Sequence, residues 1–405
     1  MPASPPDRAV GSRGPGRHVA VVTAAAHSHI GPLLGPVSEL VRRGVRVSYA
    51  TTEEFAPLVE AAGATAVVFR SSLPADPAHW PTDVRRLPLL YLADARALLP
   101  VLEAHFDADR PDLVLTEDPA GAGSVLAAKW GIPSMQVWTY FAAPRHWSLA
   151  APGAPGANPV ADKFLSGLAG FLADEGIGTP VREHLDGALS GGLVMVPRSF
   201  HPDGDTFGDA YTFAGPALPP PQESPRWTPP AGGAPGAPVA LVTLGSLDHG
   251  HPEFFRTAAE AFAGLDWHVV MAVGDRTDPV ALSPLPPNVE LHRWVPQRDV
   301  MEHASLVVHH GGMATTVECL HHGVPSVVVP RLPEQAGTAA RVRALGLGTA
   351  LPLRSVTADV LRRTVLAVHA HDGVRRRARA MRDEIRSLDG AAVAADAVER
   401  RLPPV

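Results

Sequence analysis

Residues 306–348 hold the densest set of groups in this 405-residue chain that could do chemistry. A short apolar strand, Leu306 to Val308, runs into His309, His310, Gly311 and Gly312, and a helix opens through Thr315, Thr316 and Glu318. Glycines let backbone N–H groups approach a ligand, and a helix N-terminus favours an anion. A second apolar strand, Ser326 to Val329, ends in Pro330 and is followed by Pro333, Glu334 and Gln335. In an open α/β sheet, ligands bind at the carboxyl ends of strands. One strand end therefore offers a diphosphate site, and the next offers a carboxylate and an amide for hydroxyl groups. Together they point to a sugar nucleotide.

The elements around this stretch must hold it rigidly. His18 to Val22, Val45 to Tyr49, Ala66 to Phe69, Asp112 to Leu115 and Ser134 to Val137 read as strands, with helical periodicity between them, as in Leu33, Leu34, Val37, Leu40 and Val41. Strands alternating with helices predict a parallel, doubly wound sheet. Residues 215–238, GPALPPPQESPRWTPPAGGAPGAP, read as a linker, since they have little to bury and cannot form regular structure. Beyond them the alternation restarts at Val239 to Thr243. The expected fold class is α/β, two doubly wound parallel-sheet domains. The expected division is a disordered tail over 1–17, a first domain over 18–214, the linker, a second domain over 239–389 and a last helical segment over 390–405. A pair of nicotinamide-binding Rossmann domains would want G-x-G-x-x-G after a first strand. Neither Ala24 to Pro32 nor the turn after Thr243 supplies it.

Composition narrows the partners. Net charge is −6, from 35 basic and 41 acidic residues, which recommends neither nucleic acid nor an anionic membrane. A single cysteine, Cys319, allows no disulfide within the chain and reads as a small buried hydrophobe. The first seventeen residues lack the apolar core of a signal peptide, and no apolar run is long enough to span a bilayer, so the expected location is the cytoplasm. The D-x-D pairs Asp107/Asp109 and Asp203/Asp205 sit in loop positions without further ligands at useful spacing, so no metal site is expected.

The block H-x-G-x-x-[ST]-x-x-E, G-x-P and P-x-x-x-[DE]-Q occurs here as His310, Gly312, Thr315, Glu318, Gly323, Pro325, Pro330, Glu334 and Gln335. It resembles the donor-binding signature of the nucleotide-sugar-dependent glycosyltransferases that decorate small molecules, and the bacterial macrolide and natural-product branch above all. The resemblance runs from about His18 to about Asp389. It implies the two-domain glycosyltransferase-B architecture, with the domains facing across a cleft and the final helix returning to the first. It implies UDP- or dTDP-sugar as co-substrate, no other cofactor, and a small, largely apolar acceptor. His310 and the N–H groups of Gly312, Met313 and Ala314 would meet the diphosphate, with Thr315 adding a hydroxyl. Ala314 stands where the family often has Asn. Glu318 matches the ribose ligand, Ser246 a phosphate contact, Trp294 and Gln297 the base-binding turn, and Glu334 and Gln335 the sugar-hydroxyl ligands.

The same resemblance places the catalytic base at the histidine of an H-x-x-P turn after the first strand, here His29 to Pro32, with His27 as the competing candidate. Imidazole suits the task because its pKa lies near neutrality. A carboxylate should orient it. The family's aspartate position, counted from Trp130-Gly131-Ile132-Pro133, falls on Glu117, with Asp118 next to it. Either Glu117 reaches differently or the turn presents Asp118. Trp138, Tyr140, Phe141 and Trp147 follow a strand end and suit an apolar acceptor, with aromatic core as the alternative. The implied activity is metal-independent, inverting glycosyl transfer. Its rivals are a sugar-nucleotide epimerase of the same architecture and a non-catalytic accessory protein.

Overall fold

A computed structural model describes residues 16–74, 79, 86–118, 121–143, 159–218, 226–230, 236–245 and 250–404. The candidate residues Ser246 and Trp147, residues 1–15 of the expected tail and much of the expected linker lie outside them.

The first half alternates as the periodicity predicts. It runs β1 (His18–Val22), α1 (His27–Arg42), β2 (Arg46–Thr51), α2 (Ala56–Ala61), β3 (Thr65–Val68), α3 (Leu87–Phe106), β4 (Leu113–Thr116), α4 (Ala122–Trp130) and β5 (Ser134–Trp138). Then come α5 (Pro159–Asp174), α6 (Val181–Ala188), β6 (Gly192–Val194) and β7 (Tyr211–Phe213). The second half runs β8 (Val239–Thr243), α7 (Pro252–Phe262), β9 (His268–Ala272), β10 (Val289–His292), α8 (Gln297–His303) and β11 (Ala304–His309). It continues with α9 (Met313–His322), β12 (Ser326–Val328), α10 (Pro333–Ala344) and β13 (Gly348–Ala350). Helices α11 (Ala358–Ala370), α12 (Asp372–Arg386) and α13 (Gly390–Glu399) close the chain.

Both sheets are parallel and doubly wound, in the orders β3-β2-β1-β4-β5-β6-β7 and β10-β9-β8-β11-β12-β13. In each, the order reverses beside the central first strand, between β1 and β4 and between β8 and β11. Such a switch point opens a crevice at the carboxyl ends of the strands. The central strands β1 and β8 are buried along their whole length, as a sheet covered on both faces requires.

Helix α1 begins at His27, not at Leu33, so the H-x-x-P segment forms its first turns and both Pro32 and Pro36 lie inside it. The start is sharp because Ala26 is extended while the chain behind it is fixed by β1. Helix α13 packs on α1 in the first half. Ala394, Ala395, Ala397, Val398 and Leu402 share a core with Leu33, Val37 and Leu40, and Arg43 pairs with Asp396 and Glu399. A Cβ on Gly390 would lie 2.2 Å from the Ala214 carbonyl oxygen, so the helix enters this contact at a glycine.

Candidate active site

His29 sits in the first turn of α1, directly above the end of β1. Its Nδ1 donates to Glu117 Oε1 at 2.6 Å. Glu117 follows β4, the strand paired with β1, so the switch point itself brings base and carboxylate together. The Glu117 carboxylate also accepts from the backbone N–H of Ala24 at 3.3 Å and from the hydroxyl of Thr139, and its carbonyl accepts from the amide of Gln136. Asp118 does not take the position beside the imidazole. Its carbonyl instead receives Gly121 N–H and the Thr116 hydroxyl, which curls the turn so that Glu117 faces β1.

Burial disfavours the His29 imidazolium, but the charge and hydrogen bond of Glu117 outweigh it and raise the pKa. Burial also works against the Glu117 carboxylate. The His29 charge, its hydrogen bond and those from Thr139 and Ala24 prevail and hold its pKa down. The result is a charged carboxylate with Nδ1–H fixed on it, leaving His29 Nε2 to accept a proton.

Helix α9 opens on the opposite half, at the end of β11. Gly312 is its N-cap and no side chain caps it, so the N–H groups of Met313, Ala314 and Thr315 are not used within the helix. The glycines are there for close approach. A Cβ on Gly245 (φ +77°) would lie 2.5 Å from His310 Cε1, and one on Gly312 2.4 Å from His310 Nε2. The His310 ring is held between them. Gly311, at φ +93°, turns the chain where a side chain would meet Val328 and the Gln335 carbonyl. His309 is buried, and burial with the neighbouring His310 pushes its pKa down to about 3.

Glu318, one turn further along α9, accepts from Gln297 Nε2 at 2.6 Å, and burial raises its pKa against the pull of Gln297 and Arg298. Glu318, Ala314 and Val317 line a cleft with His27, Gly31 and Pro32 of α1 and with Met195, Pro216, Ala217 and Leu218. Trp294 is 50 % exposed, and its indole N–H donates to Asp275 Oδ2 at 2.9 Å. Glu334 is exposed at the start of α10. Gln335 is buried, and its Oε1 accepts from Arg331 N–H at 2.9 Å and Leu332 N–H at 3.1 Å, so that oxygen is committed to the loop.

Of the aromatic group, Phe141 takes the core alternative. Phe141 is only 3 % exposed and packs on Phe200 and His201 in a core shared by both halves, so it offers no face to an acceptor. The Tyr140 hydroxyl crosses to α10, donating to the Glu334 carbonyl and lying 3.1 Å from Thr338 Oγ1. Trp138 is half-buried on the rim of the same core. Sequence reasoning missed Thr139, whose hydroxyl bonds Glu117. Thr139 carried a signal, since it stands one residue past β5, among the aromatics already singled out. Tyr91, on α3, is pushed up to about 12 by burial and by the charges of Glu117, Asp118, Asp94 and Glu334. The Tyr91 hydroxyl therefore stays neutral at ordinary pH.

Among the described residues, no group of three or more His, Cys, Asp or Glu side chains is gathered as a metal would need, and no helix is long and apolar enough to cross a membrane. Asp109 of one D-x-D pair is taken up by Arg46 at 2.5 Å.

Residues 256–399 match the family model for the erythromycin biosynthesis protein CIII-like C-terminal domain. The chain is 35 % identical to an NDP-glycosyltransferase of Bacillus licheniformis, over 96 % of this chain and 98 % of that one. It is 36 % identical to the demethyllactenocin mycarosyltransferase of Streptomyces fradiae, over 96 % and 87 % of the two chains. The crystal structure of the calicheamicin glycosyltransferase superposes with a TM-score of 0.81 at 38 % identity, covering 96 % of this chain and 98 % of the other. With two parallel, doubly wound sheets and likeness along nearly the whole chain, the protein belongs to the nucleotide-sugar-dependent glycosyltransferase family of bacterial macrolide and natural-product biosynthesis, with the glycosyltransferase-B fold.

Proposed function

We propose that the protein is a metal-independent, inverting enzyme that moves a sugar from a UDP- or dTDP-sugar to a small, largely apolar natural product. The observation that carries the reading is the His29–Glu117 pair, 2.6 Å apart at the switch point of one sheet, with α1 packed against α9 of the other half. In this mechanism the acceptor oxygen attacks the anomeric carbon as its proton passes to His29 Nε2. The bond from that carbon to the diphosphate breaks, and the diphosphate leaves with the electron pair. Glu117 holds the imidazole in the accepting tautomer and stabilises the imidazolium. The free N–H groups at the start of α9, with His310, receive the developing negative charge without reorganising. Glu318 takes the ribose hydroxyls and Trp294 the base, with Gln297 beside it. The exposed Glu334 takes sugar hydroxyls.

A nucleoside diphosphate donor is supported by the name of the Bacillus relative, and a natural-product acceptor by that of the Streptomyces one. Direct displacement turns an α-linked D-gluco-type donor into a β-glycoside. The test is turnover of UDP- and dTDP-sugars with a panel of aglycones in excess chelator, with the anomeric configuration read by NMR. The expected product is the β-glycoside at an undiminished rate. Loss of activity restored by magnesium or manganese, or a retained configuration, contradicts the mechanism.

A further inference from the structure

His27, two residues before the base, has no part in that mechanism, yet it reaches across the cleft. Its ring lies 6.2 Å from the Trp294 indole with the planes 29° apart, while the Phe55 ring meets it at 4.8 Å and 83°. Trp294 cannot swing freely, because its N–H is tied to Asp275. His27 also lines the same cleft as Glu318, the ribose ligand of the proposed function, and Gln297 links Glu318 to the turn that carries Trp294. The two rings therefore flank the space just beyond the ribose position, one from each half of the molecule.

We propose that the pyrimidine base of the donor is clamped between the Trp294 indole and the His27 imidazole, so that His27 closes the base site from the opposite half. This rests on the donor reading above. Stacked carbon rings sit roughly 3.5–4 Å apart, so a ring between two others needs about 7–8 Å from face to face. The present spacing falls short of that by about 1–2 Å, a gap that a small separation of α1 from α9 provides. Burial lowers the His27 pKa, with Glu54 opposing, so the ring is neutral at neutral pH and presents an aromatic face rather than a charge. A clamp of this kind ties base binding to the relative position of the two halves, since one ring stands on each.

The experiment is calorimetric titration of UDP and dTDP into the full chain, for the unaltered protein, His27→Ala, His27→Phe and Trp294→Ala. Stacking on a base is sequence-tolerant and substantial, so His27→Ala should weaken both nucleotides by about tenfold. Trp294→Ala should weaken them at least as much, and His27→Phe should stay within about threefold of the unaltered protein, because a phenyl face replaces the imidazole. Inorganic pyrophosphate, which has no base, should bind the unaltered protein and His27→Ala alike. If His27→Ala binds UDP and dTDP as well as or better than the unaltered protein, His27 merely fills the empty base site and the proposal falls. Should the unaltered protein bind neither nucleotide, the donor reading fails first and the clamp with it.

Discussion

Glu117 is bonded on both carboxylate oxygens, and this decides what His29 can do. Its charge keeps the His29 pKa above the ordinary value even though burial pulls the other way. A base works only when unprotonated, so activity should fall on the acid side of a pH higher than the usual histidine range. Glu117→Gln removes the charge and leaves burial unopposed. The acid limb of kcat/KM should then move to lower pH, while the plateau drops by about 10²–10⁴-fold because the imidazolium loses its partner. A pH profile unchanged in Glu117→Gln would mean that His29 is not the titrating base. At this scale much was legible from sequence. The H-x-x-P register singled out His29, and counting from Trp130 gave Glu117. The choice between Glu117 and Asp118 was not legible, because it depends on which carbonyl the Gly121 N–H and Thr116 hydroxyl curl around. Nor was Phe141, since an aromatic after a strand end looks the same whether it faces a ligand or the other half of the molecule.

Two helix starts form the site, and they were legible to different degrees. The strand-glycine-helix pattern at His309 to Thr315 reads directly as α9, with Gly312 at its cap. The start of α1 was hidden by Pro32, a residue that ordinarily excludes a helix interior, yet the helix runs through it and through Pro36. Strands β6, β7 and β13 are three residues each, too short for any periodicity to show. They exist because neighbouring parallel strands complete their hydrogen bonds. Helix α9 carries its own test. In the proposed function Glu318, one turn into α9, takes the ribose hydroxyls. Glu318→Ala should remove charge-assisted hydrogen bonds worth roughly 1.5–3 kcal/mol, a loss of about ten- to a hundredfold in nucleotide affinity. Unchanged calorimetric binding in a folded variant would remove Glu318 from the ribose site.

The two halves are joined by more than a linker. Phe141, Val194, Val196 and Phe200 of the first share one buried cluster with Met313, Val317, Val328 and Met381 of the second. Arg341 of α10 spans the seam, donating to the carbonyls of Phe200 at 2.7 Å, Ser199 at 2.8 Å and His201 at 3.1 Å. None of this was visible in the sequence, because such contacts pair residues about 140 positions apart. Arg341→Ala should cost on the order of 2 kcal/mol, since it strands three carbonyls that a charged group had satisfied. Hydrogen exchange should quicken in residues 196–204 and 333–344 and not in β1 or β8. Uniform protection in both segments would show that the apolar seam alone holds the halves together.

In the proposed mechanism the proton acceptor is His29 of the first half, while the diphosphate and ribose contacts come from the other half, so the proton acceptor can be removed with little change to those contacts. The decisive measurement is turnover of His29→Ala on an alcohol acceptor, with nucleotide affinity recorded on the same protein. The rate should fall by about 10²–10⁴-fold while UDP or dTDP binding barely changes, and a phenol or thiol acceptor, which gives up its proton more readily, should recover part of the loss. His27→Ala, by contrast, should act on nucleotide affinity more than on the rate at saturation. If His29→Ala turns over an alcohol at the full rate, the proton does not go to His29, and the mechanism built on its bond to Glu117 is wrong.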